Sequence, residues 1–391
     1  MRKNTTPSLS YLILVIFLFL GGNSAALAGA LIPDPPQVKA KSYILIEANT
    51  GKVIVSYNAD QELPPASLTK MMTSFVASHE IKKQSITPED KVRISVKAWG
   101  TGGSKMFIRE GTYVSVSNLL KGIIIQSGND ASIALAEHIA GSEDAFADLM
   151  NRHADRIGMT YTHFANATGL PAKNHVTTAR DLSTLAQAII NDYPDHYKLY
   201  AEKNFTYNGI TQPNRNLLLN RDKTVDGLKT GHTEAAGFCL VASAKKDNMR
   251  LISVVMGTNS EEARAVESQK LLTYGFRFFE TVSPFAKDTP LTNAKVWMGK
   301  SDKVNLGLAE DYTVTIPRGE SDKIKTLFSI NPTLKAPIGA GDELGNVKLT
   351  LNGEVLAKLP LVATSPVEQG GLFKRIIDYI ILLISSLLDL G

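Results

Sequence analysis

The chain carries three short polar motifs in a fixed order: Ser67-Leu68-Thr69-Lys70, then Ser127-Gly128-Asn129, then Lys229-Thr230-Gly231. A fold that uses them together must bring residues 67, 127 and 229 to one cleft. Singly, each motif is weak. Ser243-Ala244-Lys245-Lys246 also fits Ser-x-x-Lys, and Ser56-Tyr57-Asn58 and Ser329-Ile330-Asn331 also fit Ser-x-Asn. The ordered set is what carries specificity.

Its chemistry follows from the residue types. A serine hydroxyl is a weak nucleophile until a base takes its proton, and a lysine one helical turn away can do so if it is held neutral. Burial, the positive end of the Ser67 helix and a second cation at Lys229 would all push Lys70 toward the neutral amine. Ser127 can relay a proton between Lys70 and a leaving amine, and Asn129 can hold Lys70 and a substrate amide. The same tripeptide also reads as an N-cap loop with Asp130 as cap, and the two readings are compatible. Lys229, Thr230 and Gly231 would lie on a strand where an extended peptide can add, its terminal carboxylate drawn by Lys229 and Thr230. The backbone N–H groups of Ser67 and His232 are the simplest oxyanion donors. Arg215 and Arg264 are further candidate carboxylate binders.

The pattern along the 391 residues organises these motifs. Residues 1–28 show Arg2 and Lys3, an apolar stretch over 9–20 and small residues ending at Ala28, the order of a secretory signal; an uncleaved anchor is the rival. Residues 42–57 alternate as a hairpin around Asn49-Thr50-Gly51. Leu68, Met71, Met72, Phe75 and Val76 mark one face of a helix starting at Ser67. Helical spacing dominates residues 131–140 and 145–157. Residues 227–245 and 249–258 read as two strands, and 261–279 as a helix packed on them. From about Pro284 the texture becomes strand and turn. We therefore expect an α/β (α+β) catalytic domain over 29–280, a smaller all-β domain over 284–363 and an amphipathic helix over 368–391.

In that last segment Lys374, Asp378, Ser385 and Asp389 recur at near-helical spacing while isoleucines and leucines cover the rest. The pattern predicts a helix lying in a membrane interface, with Lys374 and Arg375 near anionic head groups. Packing on the protein's own core and a true span are the alternatives.

Composition excludes other classes. A net charge of +4, with no basic run, gives no sign of a nucleic-acid partner. The single cysteine, Cys239, forbids an internal disulfide and reads as a buried, inert thiol. The seven histidines show no metal-ligand spacing, so neither metal nor cofactor is expected. Residues 99–104 are glycine-rich without phosphate-loop spacing and read as a mobile loop.

The stretches 67–73 (SLTKMMT), 127–130 (SGND), 225–233 (VDGLKTGHT) and 271–282 (LLTYGFRFFETV) resemble the low-molecular-mass penicillin-binding proteins of the D-alanyl-D-alanine carboxypeptidase family, the 5/6 type. The resemblance runs from the signal segment to the final helix. It implies a serine β-lactamase-like catalytic domain, a trailing β domain and a C-terminal anchor on the periplasmic face of the cytoplasmic membrane. It also implies peptidoglycan pentapeptide as substrate, cut at D-Ala-D-Ala through an acyl-enzyme on Ser67, and β-lactams as inhibitors. The loop between Trp99 and Met106 is shorter than in the best-known members. A β-lactamase would share the motifs, but residues 164–170 offer no Glu-x-x-x-Asn segment to activate a deacylating water. A non-catalytic wall-binding protein is the third possibility.

Overall fold

The computed structural model describes residues 32–388. The expected signal segment, residues 1–28, lies outside the described residues.

Alternating apolar residues build a five-stranded antiparallel sheet in the order Val53–Tyr57, Ser42–Glu47, Met249–Thr258, Gly237–Lys246, Val225–Thr233. The period of two splits its side chains between two cores. Ile44, Ile46, Val241, Ile252 and Val254 face the helical half, while Leu45, Leu240, Leu251 and Val255 pack under the helix Glu261–Phe278. Where sequence spacing indicated two late strands, the structure has three. The run read as one strand breaks at residues 234–236 into two antiparallel strands. Glu234-Ala235-Ala236 carries none of the usual turn residues ahead of Gly237, so little in the local sequence marked the break.

The helices Thr69–Lys82, Asn129–Ala140, Glu143–Arg156 and Ala179–Asp192 fill the other half of the domain. Ser67 precedes its helix rather than starting it, in a 3-10 turn over Ala66–Leu68. The Lys229 strand, Val225–Thr233, is the sheet's edge, and Gly231 lets it approach that turn. A Cβ at Gly231 would lie 3.1 Å from the Pro65 carbonyl oxygen and 3.2 Å from the Leu68 nitrogen. The edge strand and the Ser67 turn therefore form two walls of one cleft.

The helix Glu261–Phe278 runs straight into the strand Phe279–Phe285, which pairs with Tyr312–Pro317 and spans the junction expected at 280–284. Beyond it lies a six-stranded sheet with its own core of Val296, Leu306, Val347, Leu349 and Leu361. Strand-like pairing continues past residue 363 to bridges at Val367 and Gln369. The last helix, Leu372–Leu388, exposes Phe373, Ile377, Tyr379 and Ile380. Its polar edge is latched to the β domain: Asp378 accepts from the Met298 N–H at 2.6 Å, and Lys374 pairs with Asp302. Lys374 is thus engaged by a carboxylate of the protein itself rather than free, as the sequence pattern suggested. Among the described residues no helix is long and apolar enough to cross a membrane.

Candidate active site

Strained backbone presents both serines. Ala66, directly before Ser67, has φ +48° and Ser127 has φ +61°, left-handed values that cost L-residues roughly 1–3 kcal/mol and cluster at functional sites. The turn is held from behind by the loop at 166–169. Gly169 has φ +86°, and a Cβ there would sit 1.8 Å from the Ala66 carbonyl oxygen, so only glycine fits. Asn166 braces this loop, its Oδ1 accepting from the N–H groups of Thr168 (3.1 Å) and Gly169 (2.8 Å).

Lys70 is fully buried at the centre. Its Nζ lies 3.1 Å from Ser67 Oγ, 2.7 Å from Asn129 Oδ1 and 2.5 Å from the Thr168 carbonyl oxygen. Burial lowers its pKa to about 7, helped by the Arg215 guanidinium and opposed by Asp130. Arg215 thus joins Lys229, with which Lys70 shares a mutual repulsion, among the cations around this amine. Asn129 is oriented by its own donor, since Nδ2 donates to the Gly102 carbonyl at 2.8 Å, which leaves Oδ1 facing Lys70. Two of the three Lys70 partners are thus carbonyl oxygens that can only accept. A neutral amine has two N–H bonds to give them, and its lone pair is left pointing at the one partner with an O–H, Ser67.

The second serine has a similar companion. Lys229 Nζ donates to Ser127 Oγ at 3.0 Å and to the Thr230 carbonyl at 3.1 Å. Its pKa is pushed well down, chiefly by burial and then by repulsion from Lys70, Arg215 and Arg264. Thr230 is buried beside it, while His232 is exposed and stacks on Phe238 at 3.9 Å between centroids. Arg264 is buried against the same strand, its guanidinium 3.3 Å from the Gly231 carbonyl oxygen. The fold therefore brings Ser67, Lys70, Ser127, Asn129, Lys229, Thr230 and Gly231 together, with His232 and Arg264 on the flank of the Lys229 strand.

Sequence reasoning missed the Thr168 carbonyl and Gly169, which bear no reactive group and matter only through tertiary contact. It also misjudged two neighbours. Asp130 is not a helix cap: the helix begins at Asn129, with Gly128 at the cap position. The buried Asp130 carboxylate instead accepts from the N–H groups of Met106 (2.8 Å), Phe107 (2.9 Å) and Ile108 (3.3 Å). The loop over 99–104, read as mobile, is tied down through Gly102 and through Ser104, whose carbonyl accepts from Asn129 N–H at 2.7 Å. Cys239 is buried, and its thiol is pushed up to about 11 by burial. The neighbours His79 and Glu80 do converge with the sequence-distant His153, with potential ligand atoms within 4.8 Å of one another. There Arg156 donates to His153 Nδ1 at 2.9 Å, so that lone pair is already engaged by a cation.

A serine–lysine pair around a fully buried Lys70, a second serine–lysine pair and an edge strand beside them on a mixed α/β frame define a serine hydrolase of the Ser-x-x-Lys type. Comparison with known proteins narrows the class. Residues 30–260 match the family described as D-alanyl-D-alanine carboxypeptidase, peptidase S11, and residues 279–369 match the penicillin-binding protein 5 C-terminal domain. The chain belongs to the D-alanyl-D-alanine carboxypeptidase family. It is 45% identical over 374 residues to the D-alanyl-D-alanine carboxypeptidase DacC of Escherichia coli (strain K12), covering 94% of this chain and 93% of that one. Its structure is similar to penicillin-binding protein 5 from Haemophilus influenzae (TM-score 0.79, 42% identity, 86% of this chain and all of that one). It is also similar to the ampicillin-bound form of penicillin-binding protein D2 from Listeria monocytogenes (TM-score 0.58, 28% identity), over 62% of this chain and all of that one.

Proposed function

We propose that the protein removes the terminal D-Ala from peptidoglycan pentapeptide by way of an acyl-enzyme on Ser67. The observation that carries this reading is the buried Lys70 Nζ 3.1 Å from Ser67 Oγ, its two other partners being carbonyl oxygens that can only accept. In the first step Ser67 Oγ attacks the penultimate carbonyl and its proton passes to Lys70. Charge developing on the carbonyl oxygen meets the N–H groups of Ser67 and His232. As the C–N bond breaks, a proton reaches the leaving D-Ala amine through Ser127, whose hydroxyl Lys229 orients at 3.0 Å. Lys70 then serves as base for the water that hydrolyses the ester, and the enzyme returns to its starting state.

The cationic flank accounts for selectivity toward a peptide C-terminus. Lys229 and Thr230 take the terminal carboxylate, the Arg215 and Arg264 guanidiniums add positive potential around Lys229, and the backbone of the edge strand pairs with the peptide. A β-lactam carries a carboxylate and a reactive carbonyl in a similar relation, so it acylates the same Ser67. No glutamate lies in residues 164–170 to speed clearance of a penicilloyl group, so that adduct outlasts a catalytic cycle. The setting we infer is the periplasmic face of the cytoplasmic membrane, reached through the signal in residues 1–28. The exposed apolar face of Leu372–Leu388 lies there in the lipid interface.

Intact-mass analysis tests the proposal. Penicillin should add one covalent equivalent to the wild type and none to folded Ser67→Ala, while a D-Ala-D-Ala pentapeptide is turned over many times. Labelling that survives in Ser67→Ala, or rapid multiple turnover of penicillin without pentapeptide cleavage, would overturn it.

A further inference from the structure

His175 is a buried titratable side chain that the reaction scheme leaves unused. Its ring touches two separate parts of the site. Nε2 lies 2.8 Å from the Oγ1 of Thr69, the residue before Lys70, and Nδ1 accepts from the Ala165 N–H at 3.3 Å, where the loop leading to Thr168 begins. A backbone N–H can only donate, so Nδ1 carries the lone pair and the ring proton sits on Nε2, donated to Thr69. The two contacts thus fix the tautomer and require a neutral ring. Burial, with repulsion from His163 and Lys70 adding to it, lowers the His175 pKa to about 4, so the neutral form prevails at neutral pH.

The ring stands on a stiff mount. The His175 N–H donates to the Ala172 carbonyl at 3.3 Å, Val176 exchanges two backbone bonds with His163, and Thr177 exchanges two with Leu63. Phe164 meets the imidazole edge-on, with centroids 6.0 Å apart. From this mount His175 completes a row of contacts between helix and loop. Thr73 Oγ1 donates to the Ala167 carbonyl at 2.7 Å, Lys70 Nζ donates to the Thr168 carbonyl, and Gly169 lies against Ala66. Thr69 and Thr73 are four residues apart and share one helix face, so the loop is stitched to that face both before and after the Thr168 carbonyl. At Ala165 the stitch passes through an intervening side chain, and that side chain is His175.

We propose that His175 is a positioning residue for Lys70: by joining Thr69 to Ala165 it sets the spacing between the helix turn that carries the amine and the Thr168 carbonyl that orients it. The inference rests on the proton transfer from Ser67 to Lys70 proposed above. Lys70 is oriented for that transfer while its own N–H bonds go to Asn129 and Thr168. Without the His175 link the loop is free to recede, one N–H bond loses its acceptor, and water enters beside the amine. Both changes slow acylation, the first by loosening the amine's orientation toward Ser67 and the second by favouring the ammonium form.

The test is single-turnover acylation of the full chain by penicillin as a function of pH, with pentapeptide cleavage measured beside it. His175→Ala and the ring-filling His175→Phe should each slow acylation by about tenfold or more, with pentapeptide kcat/KM falling in step. Both should also raise the pH midpoint of acylation from about 7 toward the ordinary lysine value. His175→Gln should recover most of the rate, because its amide offers an acceptor and a donor at close to the imidazole spacing. Thr69→Val removes the other end of the bond, so it should slow acylation by itself and add little to His175→Ala. Should His175→Ala unfold, His175→Gln and Thr69→Val carry the same comparison. A folded His175→Phe that acylates like wild type would reduce the ring to packing and overturn the proposal. So would slowed variants whose pH midpoint stays at the wild-type value, or a His175→Gln protein no faster than His175→Ala. A wild type that penicillin fails to acylate would sink the peptidase reading itself, and this inference with it.

Discussion

Lys70 is where the physics of single residues is most exposed to experiment. A base titrating at about 7 is half neutral at that pH, so acylation of Ser67 by penicillin should rise as pH goes from 5 to 8 and level off above. A rate independent of pH across that range would assign the proton transfer elsewhere. Stability follows the same group with a definite sign. Between about 7 and the ordinary lysine value of 10.5, the unfolded chain binds a proton at Lys70 that the folded chain does not. This group therefore contributes a rise in stability with pH across that window, and its full penalty remains below it. The identity of Ser67, Lys70, Ser127 and Lys229 as a set was legible in the sequence, because each bears a reactive group at a telling spacing. The contribution of Arg215 to the lowered Lys70 pKa was not, since a field depends on distance through space.

At the scale of elements, the Ser67 turn depends on a neighbour with no side chain. Gly169→Ala would drive a methyl into the Ala66 carbonyl while also forcing alanine to φ +86°. The expected cost is about 2–4 kcal/mol in thermal or denaturant unfolding, with slower acylation because the Ala66–Ser67 peptide must move. A Gly169→Ala protein that unfolds and acylates like wild type would show that this loop yields freely. Hairpins, long helices and the amphipathic terminus could be read from periodicity. The third strand of the late sheet could not, because Glu234-Ala235-Ala236 offers none of the residues that usually mark a hairpin turn. Nor could Asp130 be read correctly: capping is a local pattern, whereas its true partners at residues 106–108 come from another element.

Across the whole molecule, the two β-rich and α/β parts join without a loose linker. Thr50 and Thr315 hydroxyls meet at 2.8 Å across the junction, and one helix passes directly into the strand that starts the trailing domain. The last helix is latched to that domain by its polar edge and turns its apolar face outward. Deleting residues 368–391 should move the protein from the membrane fraction to the soluble one with pentapeptide cleavage unchanged. A truncated protein that stays on the membrane, or loses activity, would contradict the anchoring role. By itself, the sequence determined the fold class, the motif set and the amphipathic end, because hydrophobic period and reactive side chains are local properties of the chain. Tertiary structure decided which groups surround Lys70, how far burial and neighbouring cations lower its pKa, and why residue 169 must be glycine. These depend on atoms that are neighbours only after the chain has folded.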